Sequence, residues 1–264
     1  MNTQQQLEEL IQYSHEISIR LIKQEKLDFT NIEHIVAASM FRELLSQLDG
    51  LAILTKYQAG AAATVVYRTV YEIYLSFLYL FELVEKRAER ALAYAYSHLI
   101  LQKNVLDLYG HRLIGKEVAI EKAIEQLTLE LSGSKYERIA VEWGSTKKKL
   151  TNNRFEPKWY SLFDGPISFV KLIEFVEEPE KRFLYEQISL RTHGLKSMDM
   201  FSKSGEYVKV YALRYKDTED EEKSSIKLLV TVLLLLVNNF AFDDRPEVLK
   251  FLLDIKVIEE SLFQ

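Results

Sequence analysis

Only nine Gly and four Pro interrupt this chain of 264 residues, so it has few places to turn. Average usage would supply roughly 18 Gly and 13 Pro at this length. Sandwiches and barrels of short strands need a turn every few residues, and the shortage of breakers disfavours them in favour of long helices. Apolar residues make up 48% of the chain and charged residues 28%, a balance that fits neither disorder nor collagen. Such a chain can bury a sizeable core. The absence of Cys excludes disulfides, thiolate catalysis and Cys-ligated zinc.

The stretch Met1–Glu9 is polar and Gln-rich, with no basic segment leading into an apolar one, so no secretory signal is expected. The longest apolar run, Leu228–Val237, is ten residues and falls short of the ~20 that cross a bilayer. It reads as a buried core helix. The expectation is a cytoplasmic protein with no membrane partner.

Apolar spacing predicts an amphipathic helix over about 3–26, through Leu7, Leu10, Ile17 and Leu21. A second begins after the cap Asp28–Asn31 and runs to about Tyr57, interrupted or weakened at Gly50. Others are expected from Gly60 to about Val84, from Glu85 to Tyr109 and from Ile114 to Leu131. Turn residues then punctuate the chain at Ser132–Ser134, Thr151–Asn153 and Asp164–Pro166. Helical pattern returns at Ile167–Val176, again up to His193–Gly194, and over about 222–241 and 246–262. The expected fold is an all-α bundle of seven to nine helices with Ala59–Val84 central, and at most one short strand or hairpin near 205–215. An amino-terminal helix within residues 1–30 precedes a bundle over 31–264, the two forming one globular unit.

Two familiar patterns fail on inspection. Gly110-His111-Arg112-Leu113-Ile114-Gly115-Lys116 matches the start of a phosphate-binding loop, but Glu117 stands where Ser or Thr would hold magnesium, and a helix precedes it. A helix end and turn is the simpler account. Of the histidines His15, His34, His98, His111 and His193, no two lie three or four apart, and no Glu-x-x-His occurs. No metal or other cofactor is expected.

Three features carry more. Arg68 and Glu72 are the only charges between Ala59 and Phe81, one helical turn apart among Val65, Val70, Ile73 and Leu75. They are expected inside the protein, as a structural ion pair or as a site. Tyr185, Ser189 and His193 fall at i, i+4 and i+8 on one polar strip, with His193 at a helix carboxy terminus that favours its protonated ring. The strip is expected to meet the Arg68–Glu72 pair. Third, residues 134–160 read as a basic loop bearing Lys147, Lys148, Lys149 and Arg154, with Trp143 and Trp159 among its aromatic residues. Cations with stacking rings are ingredients of single-stranded nucleic-acid binding, although the net charge of −5 opposes it; two buried indoles anchoring a solvated loop is the plainer alternative.

Arg68-Thr69-Val70-Tyr71-Glu72, Lys86-Arg87-Ala88-Glu89-Arg90-Ala91-Leu92, Trp159-Tyr160 and Tyr185 to Gly194 together resemble the bacterial domain-of-unknown-function family numbered fifty-six seventy-seven, over roughly residues 40–240. The resemblance implies an all-helical domain of unassigned activity, in the company of helical HEPN-type ribonucleases and abortive-infection genes. Those enzymes use Arg-x(4–6)-His on one helix, and this chain departs from that pattern: Arg90 and His98 are too far apart, and no Arg precedes His193 at the right distance.

Two functions stay open. One is a metal-independent, HEPN-like RNA-cleaving or toxin-type protein of a defence module, with His193 as general acid or base, Arg68 on phosphate charge, Glu72 orienting Arg68, and Tyr185 and Ser189 completing the site. RNA would be its partner. The other is a non-catalytic helical binding module, with a protein partner or a second copy, in which an Arg–Glu–His network fixes the fold. Exposure separates them: a shared open pocket at Arg68 and His193 favours the first, and a sealed network the second.

Overall fold

A computed structural model of the protein describes residues 1–176, 181–192, 201–204, 207–210 and 218–259, among which lie ten α-helices and one hairpin. Helix α1 (Thr3–Lys23) starts at a capping box: the Asn2 side chain accepts the Gln5 N–H at 2.9 Å, and the Gln5 side chain accepts the Asn2 N–H at 3.2 Å. Asn31 caps α2 (Ile32–Lys56) by accepting the Glu33 N–H at 2.9 Å. This helix runs through Gly50 without a break. Leu44, Leu45, Leu48 and Leu51 are buried on both sides of the glycine, and their packing holds the backbone where propensity alone would loosen it.

Helix α3 (Gly60–Phe81) is the axis of the fold, packed by α2 and by helices from the carboxy-terminal half. Tyr67, Val70, Tyr71, Leu75, Phe77 and Leu80 are all buried along it, as a helix apolar on most sides requires. Helix α4 (Arg87–Tyr109) crosses α2 and carries α5 (Glu117–Leu131) and α6 (Glu137–Thr151) on its outer side. The phosphate-loop lookalike is the connection between α4 and α5, with Gly115 at φ 80°, a conformation that suits glycine.

Beyond α6 come α7 (Phe169–Val176) and α8 (Lys181–Thr192), both against α3. Strands β1 (Phe201–Ser204) and β2 (Tyr207–Val210) pair antiparallel, with Phe201 opposite Val210 and Ser204 opposite Tyr207. Helix α9 (Glu219–Phe240) is the one helix among the described residues long and apolar enough to cross a membrane. In the fold its Leu229, Val232, Leu233 and Leu236 are buried in the core it shares with α1, α2 and α3. Helix α10 (Arg245–Asp254) packs on α9 and meets α1 through Tyr13 stacked on Phe251, ring centres 3.7 Å apart.

The fold class is all-α, and three details differ from the sequence expectation. Ten helices stand where seven to nine were expected, partly because residues 137–151 form α6 rather than a loop. Ile139, Trp143 and Thr146 repeat at helical spacing and are buried, which outweighs the charge density around them. The first described strand is Phe201–Ser204, a few residues ahead of the 205–215 expected, and Tyr207–Val210 falls within it. The last helix ends at Asp254 rather than near 262, with Lys256 at φ 60° just beyond it.

Gly50 is in mid-helix, and a Cβ built there would meet nothing within 4 Å. Gly50→Ala should therefore stabilise the protein by about 0.5–1 kcal/mol through helix propensity and a stiffer unfolded chain. Urea melts check this through the midpoint; an unchanged or lower midpoint would mean that α2 needs the glycine.

Candidate functional site

The two charges of α3 reach across to α8. Arg68 Nε donates to Glu72 Oε1 at 2.9 Å, Arg68 Nη2 donates to the Tyr185 hydroxyl at 3.0 Å, and that hydroxyl donates to Glu72 Oε1 at 3.0 Å. The guanidinium also lies 5.3 Å from the centre of the Tyr185 ring, within cation–π range. Arg68, Glu72 and Tyr185 thus form a closed triangle between two helices. Burial alone would lower the pKa of Arg68, but the bonds to Glu72 and Tyr185 outweigh it and raise the pKa. Burial and then the charge of Glu72 raise the pKa of Tyr185, so its proton is held.

The pair is less enclosed than its apolar flanks suggest. The Arg68 side chain is 19% exposed and that of Glu72 36%, and Glu72 borders a cavity. Ser189 lies one turn after Tyr185 on α8, with its Oγ sealed from solvent and no hydrogen-bond partner among the described residues. His193 lies outside the described residues.

The basic residues sit elsewhere. Lys147, Lys148 and Lys149 occupy the end of α6, which Asn152 terminates in the left-handed conformation, and Arg154 follows, exposed. Lys147 bonds Glu156 at 2.7 Å, and Lys149 reaches Asp164 at 3.3 Å. Both indoles are buried: Trp143 donates to Glu156 at 2.7 Å, and Trp159 packs edge-on against Tyr79 and Tyr94. Burial alone would raise the pKa of Glu156, but the bonds from Lys147 and Trp143 override it and hold the carboxylate below its usual range.

The cavity beside Glu72 has a volume of about 350 Å³, within the range of small-molecule sites. Its walls come from α2 (Glu43), α3 (Thr69, Glu72, Ser76), α4 (Tyr94, Ser97), the segment Glu156–Tyr160 and α7 (Phe169). Gly165 seats that segment: a Cβ there would fall 2.1 Å from the Tyr160 carbonyl oxygen and 2.7 Å from the Tyr79 hydroxyl. Tyr160 is 6% exposed and Ser97 8%. Neither hydroxyl is sealed, and neither has a hydrogen-bond partner among the described residues. Burial, then the neighbouring Tyr185 and Glu72, push the Tyr160 pKa up.

Spacing within one segment could not find Glu43, Tyr94, Ser97 and Tyr160 together, since they come from three separate parts of the chain. Arg87 and Arg90 were also missed, as buried groups. Arg90 bonds the Tyr79 carbonyl and, at 2.8 Å, Glu82; Arg87 bonds Asn239 at 2.8 Å. Two arginines three apart beside a small residue, Ala91, were the available signal.

Tyr185→Phe removes the hydroxyl that closes the triangle and should cost about 1.5–3 kcal/mol, the range of hydrogen bonds to charged partners. The folded-state pKa of Tyr185 lies above the ordinary 10.0, so its contribution is complete below pH 10.0 and is lost as pH rises past it. Urea melts of parent and variant between neutral and strongly alkaline pH should show the difference shrinking only at the alkaline end. A difference absent at neutral pH would open the triangle.

No curated protein matches this chain, and no solved structure matches it either. Residues 34–207 match the family described as "Family of unknown function (DUF5677)", with α1 outside the matched span. The matched residues include the Arg68–Glu72 pair, the buried arginines of α4, the Trp159–Tyr160 wall and Tyr185. The chain belongs to this family of unknown function, DUF5677.

Proposed function

We propose that the protein is a helical binding module, and that the Arg68–Glu72–Tyr185 triangle holds one wall of a small-molecule site in place. The observation that carries this reading is the cavity itself: about 350 Å³, bordered by aromatic rings and lined by Tyr160 and Ser97, whose open hydroxyls have no hydrogen-bond partner among the described residues. Hydroxyls open toward a cavity are satisfied by water or by a ligand that replaces it.

RNA cleavage is the weaker reading. Arg68 already bonds a carboxylate and a phenol, and the nearest cavity wall carries Glu43 and Glu72, which repel phosphate. Lys147 and Lys149 face carboxylates of their own. The test is ligand-observed NMR with a mixed fragment library against the parent and against Thr69→Trp, which places a bulky ring at an exposed cavity-lining position. Fragments should bind the parent and lose their signals with the variant. No binding to the parent, or binding indifferent to Thr69→Trp, would overturn the proposal. So would cleavage of single-stranded RNA by the parent that Arg68→Ala abolishes.

A further inference from the structure

We infer that the cavity takes a small organic cation, an amine or amidinium group carried on a compact aromatic or apolar body. This rests on the binding-module reading and names its ligand class.

The first ground is the supply of acceptors. Both hydrogen bonds to the Glu72 carboxylate from described residues, those of Arg68 and Tyr185, end on Oε1, so among the described residues nothing donates to Oε2. Glu72 lines the cavity and Arg68 does not. The carboxylate therefore meets the cavity from one side and its counter-charge from the other. Glu43 adds a second carboxylate from α2, exposed, with one oxygen accepting from Gln47 at 2.8 Å. Glu156 is spent, since Lys147 and Asn104 bond one of its oxygens and Trp143 the other.

The second ground is the character of the rings. Tyr94, Trp159, Tyr160 and Phe169 line the same space. Trp159 meets Tyr94 and Tyr160 at interplanar angles of 88° and 72°, and Tyr160 meets Phe169 at 66°. Rings set edge to face turn their planes in different directions, and ring faces attract cations. Burial followed by the charge of Glu43 raises the Tyr94 pKa, and Glu72 contributes to the rise at Tyr160, so both phenols sit in a negative field.

The third ground separates an organic cation from the alternatives. Among the described residues no group of three His, Asp or Glu side chains is gathered closely enough to hold a metal ion, so these carboxylates border a space without forming a coordination shell. An anion would find Lys158 as its one charged attractor in the lining, and that side chain is exposed.

Matched compounds test the class. Isothermal titration would compare tyramine with 4-ethylphenol and 4-hydroxyphenylacetate, and benzamidine with benzamide and benzoate. At least one cation should bind about tenfold more tightly than its neutral and anionic counterparts, with the margin shrinking as salt rises from ~50 to ~500 mM. Glu43→Gln should weaken that cation about threefold and leave the neutral counterpart unchanged. Lys158→Ala should leave cation binding equal or tighter. If neither cation exceeds its neutral counterpart, or if an anion binds best and is lost in Lys158→Ala, the cation assignment falls. The fragment experiment separates the two failures: fragments that Thr69→Trp displaces, without preference for cations, overturn the ligand class and spare the binding module. A cavity that binds nothing overturns both.

Discussion

Helix α3 has charge on only one edge, and the architecture follows from covering the rest of it. Its apolar residues need neighbours on nearly every side, which α2, α9, α7 and α8 supply. Arg68 and Glu72 can be tolerated only where the covering is incomplete. Tyr185 of α8 stands at that boundary, its ring body among buried residues and its hydroxyl on both charges. A phenol suits the position because it donates to the carboxylate while accepting from the guanidinium, and because it adds no third charge. The triangle therefore ties α8 to α3 at Glu72, the member of it that borders the cavity.

The other end of α3 is held by a different set of polar groups. Arg90 of α4 reaches back to the Tyr79 carbonyl and Glu82, with its guanidinium 3.9 Å from the centre of the Tyr79 ring. A helix carboxy terminus leaves carbonyls without intrahelical donors, and a cation placed there satisfies one while meeting the negative end of the dipole. Arg87 crosses to Asn239 of α9 and lies over the Phe81 ring at 4.5 Å. Two arginines at the start of α4 thus fix its angle to α3 and α9. That angle brings Tyr94 and Ser97, one and two turns further on, to the cavity.

Much of this was legible in the sequence, and the limits have physical causes. Scarce breakers and periodic apolar residues identify α1, α2, α3 and α9, because the helical period repeats over several turns in each. The Arg68–Glu72 pair stands out for the same reason: a charge is conspicuous where every neighbour is apolar. What failed was weighting. In residues 137–151 the density of Lys and Glu hid the buried face formed by Ile139, Trp143 and Thr146. At Gly50 an intrinsic preference was set above the packing on either side of it. The depth of Arg68 and Glu72 was overestimated, because hydropathy along one helix does not reveal a cavity walled by other parts of the chain. The cavity was invisible for a related reason: its residues share no segment and acquire a common environment only after α4 crosses α2.

Tyr185 and Ser189, one turn apart on α8, meet two different environments. Helical spacing brings Tyr185 to Arg68, and it carries Ser189 one turn further, where its Oγ is sealed with no hydrogen-bond partner among the described residues. A hydroxyl shut in this way cannot take a proton from a substrate that arrives through the cavity. Open hydroxyls lining the cavity include those of Tyr160 and Ser97, on other elements. Tyr185 of α8 therefore holds Glu72 at the cavity's edge, and polar groups of the Glu156–Tyr160 segment and α4 line the space itself. That division of labour separates the residues that make the site stable from the ones that would recognise a ligand.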